Sequence, residues 1–267
     1  MQNFEELFQK GHKTGAEAET TWDLRAEKFN SSQQRDNSKT PGLVTDLLLK
    51  KGLLTGKDVL DAGGGTGRYA VPFARYAKTV TIADVSSNML GCAKKNAENA
   101  GLNNIQYIKS DWDAADLSTL GWDRHFDFVF SSMCPATRCK EGIDKMIAAS
   151  KGWCALNHVT VSEDSLLKSI KNCIKQKKPQ GYNGKENVQA TFNYLWVKGY
   201  EPEIEYIKEE KEHVYSIDEA VNYYSRSSDS IGQDCAFDWK DAIMSYAAGG
   251  FIKINNRSTH VIISWRV

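Results

Sequence analysis

Val59-Leu60-Asp61-Ala62-Gly63-Gly64-Gly65-Thr66-Gly67-Arg68-Tyr69 is the stretch on which the reading of this chain turns. An apolar strand runs into Asp-x-Gly-x-Gly-x-Gly and then opens a helix. Such a turn needs glycine where a ligand packs against bare backbone, or where φ must be positive. A P-loop would follow with Gly-Lys-Ser/Thr, which is missing here. The dinucleotide fingerprint needs a glycine or alanine three positions after Gly65, and position 68 is Arg. An acidic residue just ahead of the glycines is also foreign to that fingerprint.

Outward from the turn, apolar runs recur at 80–83, 105–108, 126–131 and 154–161, with helical-period stretches between them such as Ile143, Met146 and Ile147. Upstream, Leu43, Val44, Leu47, Leu48 and Leu54 suit a helix. Strands alternating with helices imply crossover units and a parallel sheet. Right-handed crossovers put the ligand crevice at the carboxyl ends of the strands. Beyond residue 161 the rhythm loosens. A helix is expected over 164–174, a Gly/Asn-rich turn over 180–186 and a helix over 187–197. A half-exposed strand over 203–215, short helices around 218–224 and 238–248, and a closing strand over 260–267 complete the pattern. Residues 31–40 are polar, end at Pro41 and read as a linker.

Taken in order, these segments resemble the class I S-adenosylmethionine-dependent methyltransferases. The second strand, Val80-Thr81-Ile82-Ala83, ends at Asp84, which matches the family's acidic contact to both ribose hydroxyls. Asp84-Val85-Ser86-Ser87-Asn88-Met89-Leu90 looks like the family's acid-loop-Met-Leu segment, with Met89 near the adenine. Lys109-Ser110-Asp111-Trp112 is similar to its acidic contact to the adenine amino group. Phe126-Asp127-Phe128-Val129-Phe130-Ser131-Ser132 leads into the loop where methyl transfer usually occurs. The motifs span residues 57–137 and are specific as an ordered set.

The resemblance implies an α/β fold: a Rossmann-like, doubly wound, seven-stranded sheet, mostly parallel with an antiparallel C-terminal strand, plus a helical cap. It implies S-adenosylmethionine as cofactor, bound by Trp22, Asp61, Gly63, Gly64, Gly65, Gly67, Asp84, Val85, Met89, Ser110, Asp111, Trp112 and Ser131. The expected organisation is a single domain over 1–267. Within it lie an N-terminal helical lid (1–40), a cofactor-binding core (41–162), an inserted helical cover (163–202) and C-terminal strands and helices (203–267). A sulfonium is already an activated leaving group, so catalysis is mostly positioning of the acceptor, and a catalytic residue is absent or limited to one base.

Candidates for that base and for acceptor contacts are His158, Tyr194 and Tyr223, each of which also reads as a packing residue. Arg25, beside Trp22, is placed to meet the methionine carboxylate or an acidic substrate, or else is a surface arginine. In Ser131-Ser132-Met133-Cys134-Pro135-Ala136-Thr137 the Pro-Pro-aromatic motif of amino-directed nucleic-acid methyltransferases is missing. Cytosine-C5 enzymes use Pro-Cys, whereas here the order is Cys134-Pro135, so Cys134 reads as a small pocket residue rather than a nucleophile.

Thirty-four Lys and Arg balance thirty-four Asp and Glu. A neutral chain favours neither a phosphate backbone nor an anionic membrane. Lys168, Lys171, Lys175, Lys177 and Lys178 read as the solvated end of a helix. No apolar run approaches the roughly 20 residues of a membrane span, and the first residues lack an apolar signal core. Six cysteines never form Cys-x-x-Cys, so neither zinc nor a disulfide scaffold is expected. The resemblance implies a methyltransferase, and with these features the expectation is a cytoplasmic enzyme with a small-molecule acceptor, no metal, no nucleic acid and no membrane. The rivals are a protein or RNA methyltransferase and a non-catalytic S-adenosylmethionine-binding protein.

Overall fold

In the computed structural model, residues 4–8, 11–173, 183–226 and 238–267 are described. The chain forms two compact units: Met1–Thr160, Asn183–Ile207 and His260–Val267 make the first, Val161–Tyr182 and Lys208–Thr259 the second.

Seven strands build one sheet: β1 (Asp58–Ala62), β2 (Thr79–Asp84), β3 (Ile105–Lys109), β4 (Phe126–Ser132), β5 (Ser150–Asp164), β6 (Glu203–Ser216) and β7 (Phe251–Arg266). Their order is β3-β2-β1-β4-β5-β7-β6. The first five run parallel, and the C-terminal strand is antiparallel to its neighbours. In the first unit, β1, β2 and β4 read as near-continuous apolar runs because crossover helices cover both of their faces. Successive side chains alternate between two cores. Val59, Phe128, Phe130 and Ile262 join one, with Val44, Leu48 and Phe73 from helices α2 (Thr40–Lys50) and α3 (Ala70–Ala74). Leu60, Val129 and Ile263 join the other, with Ile143 and Met146 of α5 (Lys140–Ala149) and Leu195 of α7 (Gly184–Val197).

The register brings the carboxyl ends of the strands level. Ala62 pairs with Ala83, Asp84 with Lys109 and Ser132 with Asn157. Strand order reverses between β1 and β4, and an open α/β sheet leaves a crevice at such a point.

Helix α1 (Gly15–Arg35) buries only Ala18 and Ala26, yet it runs 21 residues. The linker expected over 31–40 is therefore mostly helix. The Asp36 N–H closes α1 on the Ser32 carbonyl, and Gln33 and Gln34 bond Thr66 and Asn96. These tertiary contacts override a composition that looked like loop. Pro41 starts α2 rather than ending a linker, because the first helical turn has no use for its missing N–H.

The expected helix over 164–174 is α6 (Ser165–Cys173), and residue 174 lies outside the described residues. So do 180–182 of the expected turn, Lys175, Lys177, Lys178 and Cys235. Helix α7 begins three residues before the expected 187, because the Asn183 side chain caps it by accepting from the Lys185 and Glu186 N–H groups. The segment expected as one cover, 163–202, is shared. Helix α6 belongs to the second unit and α7 to the first. In the second unit, α6, α8 (Ile217–Arg226) and α9 (Trp239–Met244) close a separate core of Leu166, Ile170, Tyr224, Trp239, Ile243, Ile252 and Ile254.

Candidate cofactor site

A cavity of about 540 Å³ opens in the first unit beside the ends of β1 to β4. The glycine turn between β1 and α3 forms its floor. The Gly63 and Gly64 N–H groups both donate to the Ala83 carbonyl (2.8 and 3.2 Å), which folds the turn across the end of β2. Gly63 has φ +69°, and a Cβ there would lie 2.4 Å from Cys134 Sγ. Gly65, at φ +55°, has open space where a Cβ would stand, and its N–H donates to Asp84 Oδ2 (2.9 Å).

The electrostatics of the wall are acidic. Asp84 Oδ1 accepts from the Ser86 N–H (2.9 Å), yet burial still raises the carboxyl above its ordinary range. Asp61 is buried in the same wall, and neither of its oxygens has a hydrogen bond of sound geometry. Burial first, and then the nearby Asp84 charge, push its pKa up to about 7, against a weaker pull from the Ala70 N–H. Two buried carboxylates facing one cavity favour a cationic ligand with hydroxyl groups. Asp111, past the end of β3, accepts from the Gly15 N–H (2.9 Å) and the Asp113 N–H (3.1 Å).

Helix α1 crosses the cavity and is held by polar contacts. Asp23 accepts from the Ser86 hydroxyl (2.5 Å) and the Asn88 N–H (3.0 Å), and the Ser86 bond leads in holding its carboxyl below the usual range. The Thr66 hydroxyl donates to Gln33 (2.7 Å), and Arg68 pairs with Asp36 (3.0 Å). Trp22, Phe29, Gln33 and Asp36 line the cavity. Their spacing of seven, four and three residues is one helical face. That spacing was present in the sequence and was hidden by reading 31–40 as a linker.

Most of the expected cofactor residues come together here: Trp22, Asp61, Gly63, Gly64, Gly65, Asp84, Val85, Met89, Ser110, Asp111 and Trp112 all line the cavity. Gly67 and Ser131 do not. Gly67 turns the chain into α3 at φ +78°. The Ser131 hydroxyl points back into the fold, donating to the Ala62 carbonyl (2.7 Å) and meeting Thr137 Oγ1 (3.0 Å), while its neighbour Ser132 faces the cavity.

None of the three candidate catalytic residues reaches the cavity lining. His158 is buried, and burial aided by the Arg138 charge lowers its pKa to about 3. Tyr194 donates to Asp144 (2.8 Å) and packs edge-on against Phe8. Tyr223 belongs to the second unit and stacks on Tyr215. Arg25 is exposed, 6.0 Å above the Trp22 ring, and also stands outside the lining. Cys134 does line the cavity. Burial and the Asp84 charge push its thiol up to about 12, so it is no thiolate at neutral pH. Sequence reasoning missed Arg138, Tyr69 and His260, which also line the cavity.

A dinucleotide sheet does not carry an antiparallel last strand wedged between β5 and β6, nor an acid on the strand that feeds the glycine turn. With acids also ending β2 and following β3, the core has the fold of the class I S-adenosylmethionine-dependent methyltransferases. Residues 59–154 match the family model described as a methyltransferase domain. The chain is 31% identical over 118 residues to the 23S rRNA (uracil(1939)-C(5))-methyltransferase of Aeromonas hydrophila. It is 29% identical over 131 residues to phosphoethanolamine N-methyltransferase 1 of Caenorhabditis elegans. In each case the match takes in 42% of this chain and 27% of the relative, so the chain spans about a quarter of their length. Among solved structures, the fold is shared with magnesium protoporphyrin IX methyltransferase from Synechocystis PCC 6803 with bound S-adenosylhomocysteine. That pair has a TM-score of 0.51 and 16% identity, over 99% of this chain and 92% of that one.

The class takes S-adenosylmethionine as its cofactor, and the wall fits it. The buried Asp61 carboxylate suits a ligand that carries a sulfonium and an ammonium, and Asp84 adds a second carboxylate to the same wall. Among the described residues, no helix is long and apolar enough to cross a membrane, and no group of His, Cys, Asp and Glu is arranged to hold a metal.

Proposed function

We propose that this chain transfers a methyl group from S-adenosylmethionine to a small-molecule acceptor. The carrying observation is the cavity lining. Helix α1 contributes Trp22, Phe29 and Gln33 to it, and Asp36 at its end adds to them, so apolar rings and polar side chains share one wall of a ligand-sized pocket. A volume of about 540 Å³ is within the range of pockets for small ligands. The equal numbers of cationic and anionic residues add no electrostatic pull on a nucleic-acid backbone.

When bound, the cofactor supplies a methyl group already activated by its sulfonium. The chain's own residues bind and orient. Asp84 takes the ribose hydroxyls, Asp111 and Met89 hold the adenine, and Asp61 faces the positive charge. The end of β4 and the loop after it, with Ser132, Met133 and Arg138 in the cavity wall, receive the acceptor.

The likeness to an rRNA methyltransferase favours a second reading, with RNA as acceptor. Incubation with tritiated-methyl S-adenosylmethionine and separate metabolite, RNA and protein fractions tests both. Label in a metabolite fraction is expected, and label confined to RNA or protein would overturn the small-molecule reading.

A further inference from the structure

Asn157, on β5, has no exposed surface and ties together three elements around the cavity. Its Nδ2 donates to the Tyr69 hydroxyl at the start of α3 (2.9 Å) and to the Ser132 hydroxyl at the end of β4 (2.9 Å). Its Oδ1 lies 3.2 Å from Nδ1 of His260 on β7. Tyr69, Ser132 and His260 all line the cavity, and Asn157 stands behind them.

Both amide protons of Asn157 are engaged by hydroxyls, and its carbonyl oxygen can only accept. With the amide oriented in this way, Nδ1 of His260 is the donor in their bond. A neutral imidazole has a single N–H. With that proton on Nδ1, the lone pair sits on Nε2. The ring is thus a base in a set tautomer, in the wall of the cavity that also holds the acceptor loop.

We propose that His260 takes the proton from the acceptor during methyl transfer, with Asn157 as the positioning residue that fixes its tautomer. The proposal rests on the methyl-transfer reading above and deepens it to an acceptor class: a hydroxyl or N–H nucleophile that must lose its proton. In the step, a bond forms between the methyl carbon and the acceptor oxygen or nitrogen. The carbon–sulfur bond breaks with its electron pair going to sulfur. The acceptor proton passes to His260 Nε2 and then to water, leaving the methylated acceptor, S-adenosylhomocysteine and a proton.

Two measurements on the full chain decide it. Nitrogen-15 spectra of histidine-labelled protein, with His260 assigned by its loss in His260→Gln, read the tautomer directly. Protonated Nδ1 with bare Nε2 is expected in the wild type, relaxing toward protonated Nε2 in Asn157→Leu. Protonated Nε2 in the wild type overturns the proposal, whether or not Asn157→Leu folds. In the tritiated-methyl assay, on the fraction the wild type labels, His260→Gln is expected to lower the rate about a hundredfold or more. Its affinity for S-adenosylhomocysteine by calorimetry should stay within about threefold of wild type, roughly half a log unit. Transfer at the wild-type rate in His260→Gln removes the His260 role alone. Wild-type protein that binds S-adenosylhomocysteine yet labels no fraction removes the methyl-transfer reading, and the His260 role with it.

Discussion

Asp61 and Asp84 share one wall of the cavity; Asp84 accepts from the Gly65 and Ser86 N–H groups, whereas Asp61 feels only a weaker pull from the Ala70 N–H. The Asp61 carboxyl titrates near 7 in the folded chain, because burial and the Asp84 charge penalise its ionised form. An unfolded Asp titrates near 3.9. Between those values the native state holds more protons than the unfolded one, so stability falls as pH rises from about 4 to about 7. A cationic ligand opposes this by favouring the ionised carboxylate. S-adenosylmethionine affinity is therefore expected to rise from pH 6 to pH 8, and Asp61→Asn to flatten that rise while lifting the melting temperature of the empty protein at pH 8. Calorimetry and thermal melts check both, and a pH dependence retained in Asp61→Asn would clear Asp61 of the effect. The glycines separate in a similar way. Gly63→Ala drives a Cβ into Cys134, so the fold itself should lose about 1–3 kcal/mol by denaturant melts. Gly65→Ala meets nothing but carries a φ of +55°, so its larger effect should fall on ligand affinity.

At the scale of the element, α1 is a helix held by polar contacts. Two alanines are its only buried residues, and Asp23, Gln33 and Asp36 anchor it to Ser86, Thr66 and Arg68. Elements with little buried apolar contact open at low cost, and a cover over a cofactor must open for exchange. Limited proteolysis should cut the empty protein at 36–39, between α1 and α2, and slow when S-adenosylhomocysteine is added. Asp23→Ala removes two bonds to the start of α4 (Ser87–Asn99) and should restore fast cleavage in the presence of ligand. Equal rates with and without ligand would end the lid interpretation and leave Trp22 as a packing residue.

For the whole molecule, the division into two units has an energetic consequence. The second unit closes its own core around Tyr224 and Trp239, whose rings stack at 5.7 Å, and the Tyr224 hydroxyl donates to Asp164 (2.6 Å). Trp239→Ala removes a buried indole from that core, at a cost of about 3–5 kcal/mol. Hydrogen exchange should then speed in β7 at Ile252 and Ile254 and in α8, while amides of β1, β2 and β4 keep their protection. Equal acceleration in both units would show that they unfold as one.

The turn at 63–67, the strand ends at Asp84 and Asp111 and the alternation of strand and helix were legible because each is local. Period and turn chemistry are written in neighbouring residues, so the sequence by itself determined the fold class and named most of the residues that meet in the cavity wall. Long-range pairing was not legible. Ser131 and Ser132 read alike in the sequence, and strand alternation turned one into the fold and the other to the cavity. His158 lies within β5 and packing buried it, whereas His260, 103 residues from Asn157, was brought to the cavity by the antiparallel insertion of β7. Only the tertiary structure decided those placements. Which side chains share a cavity depends on strand order and register across the whole sheet, and no window of sequence contains either.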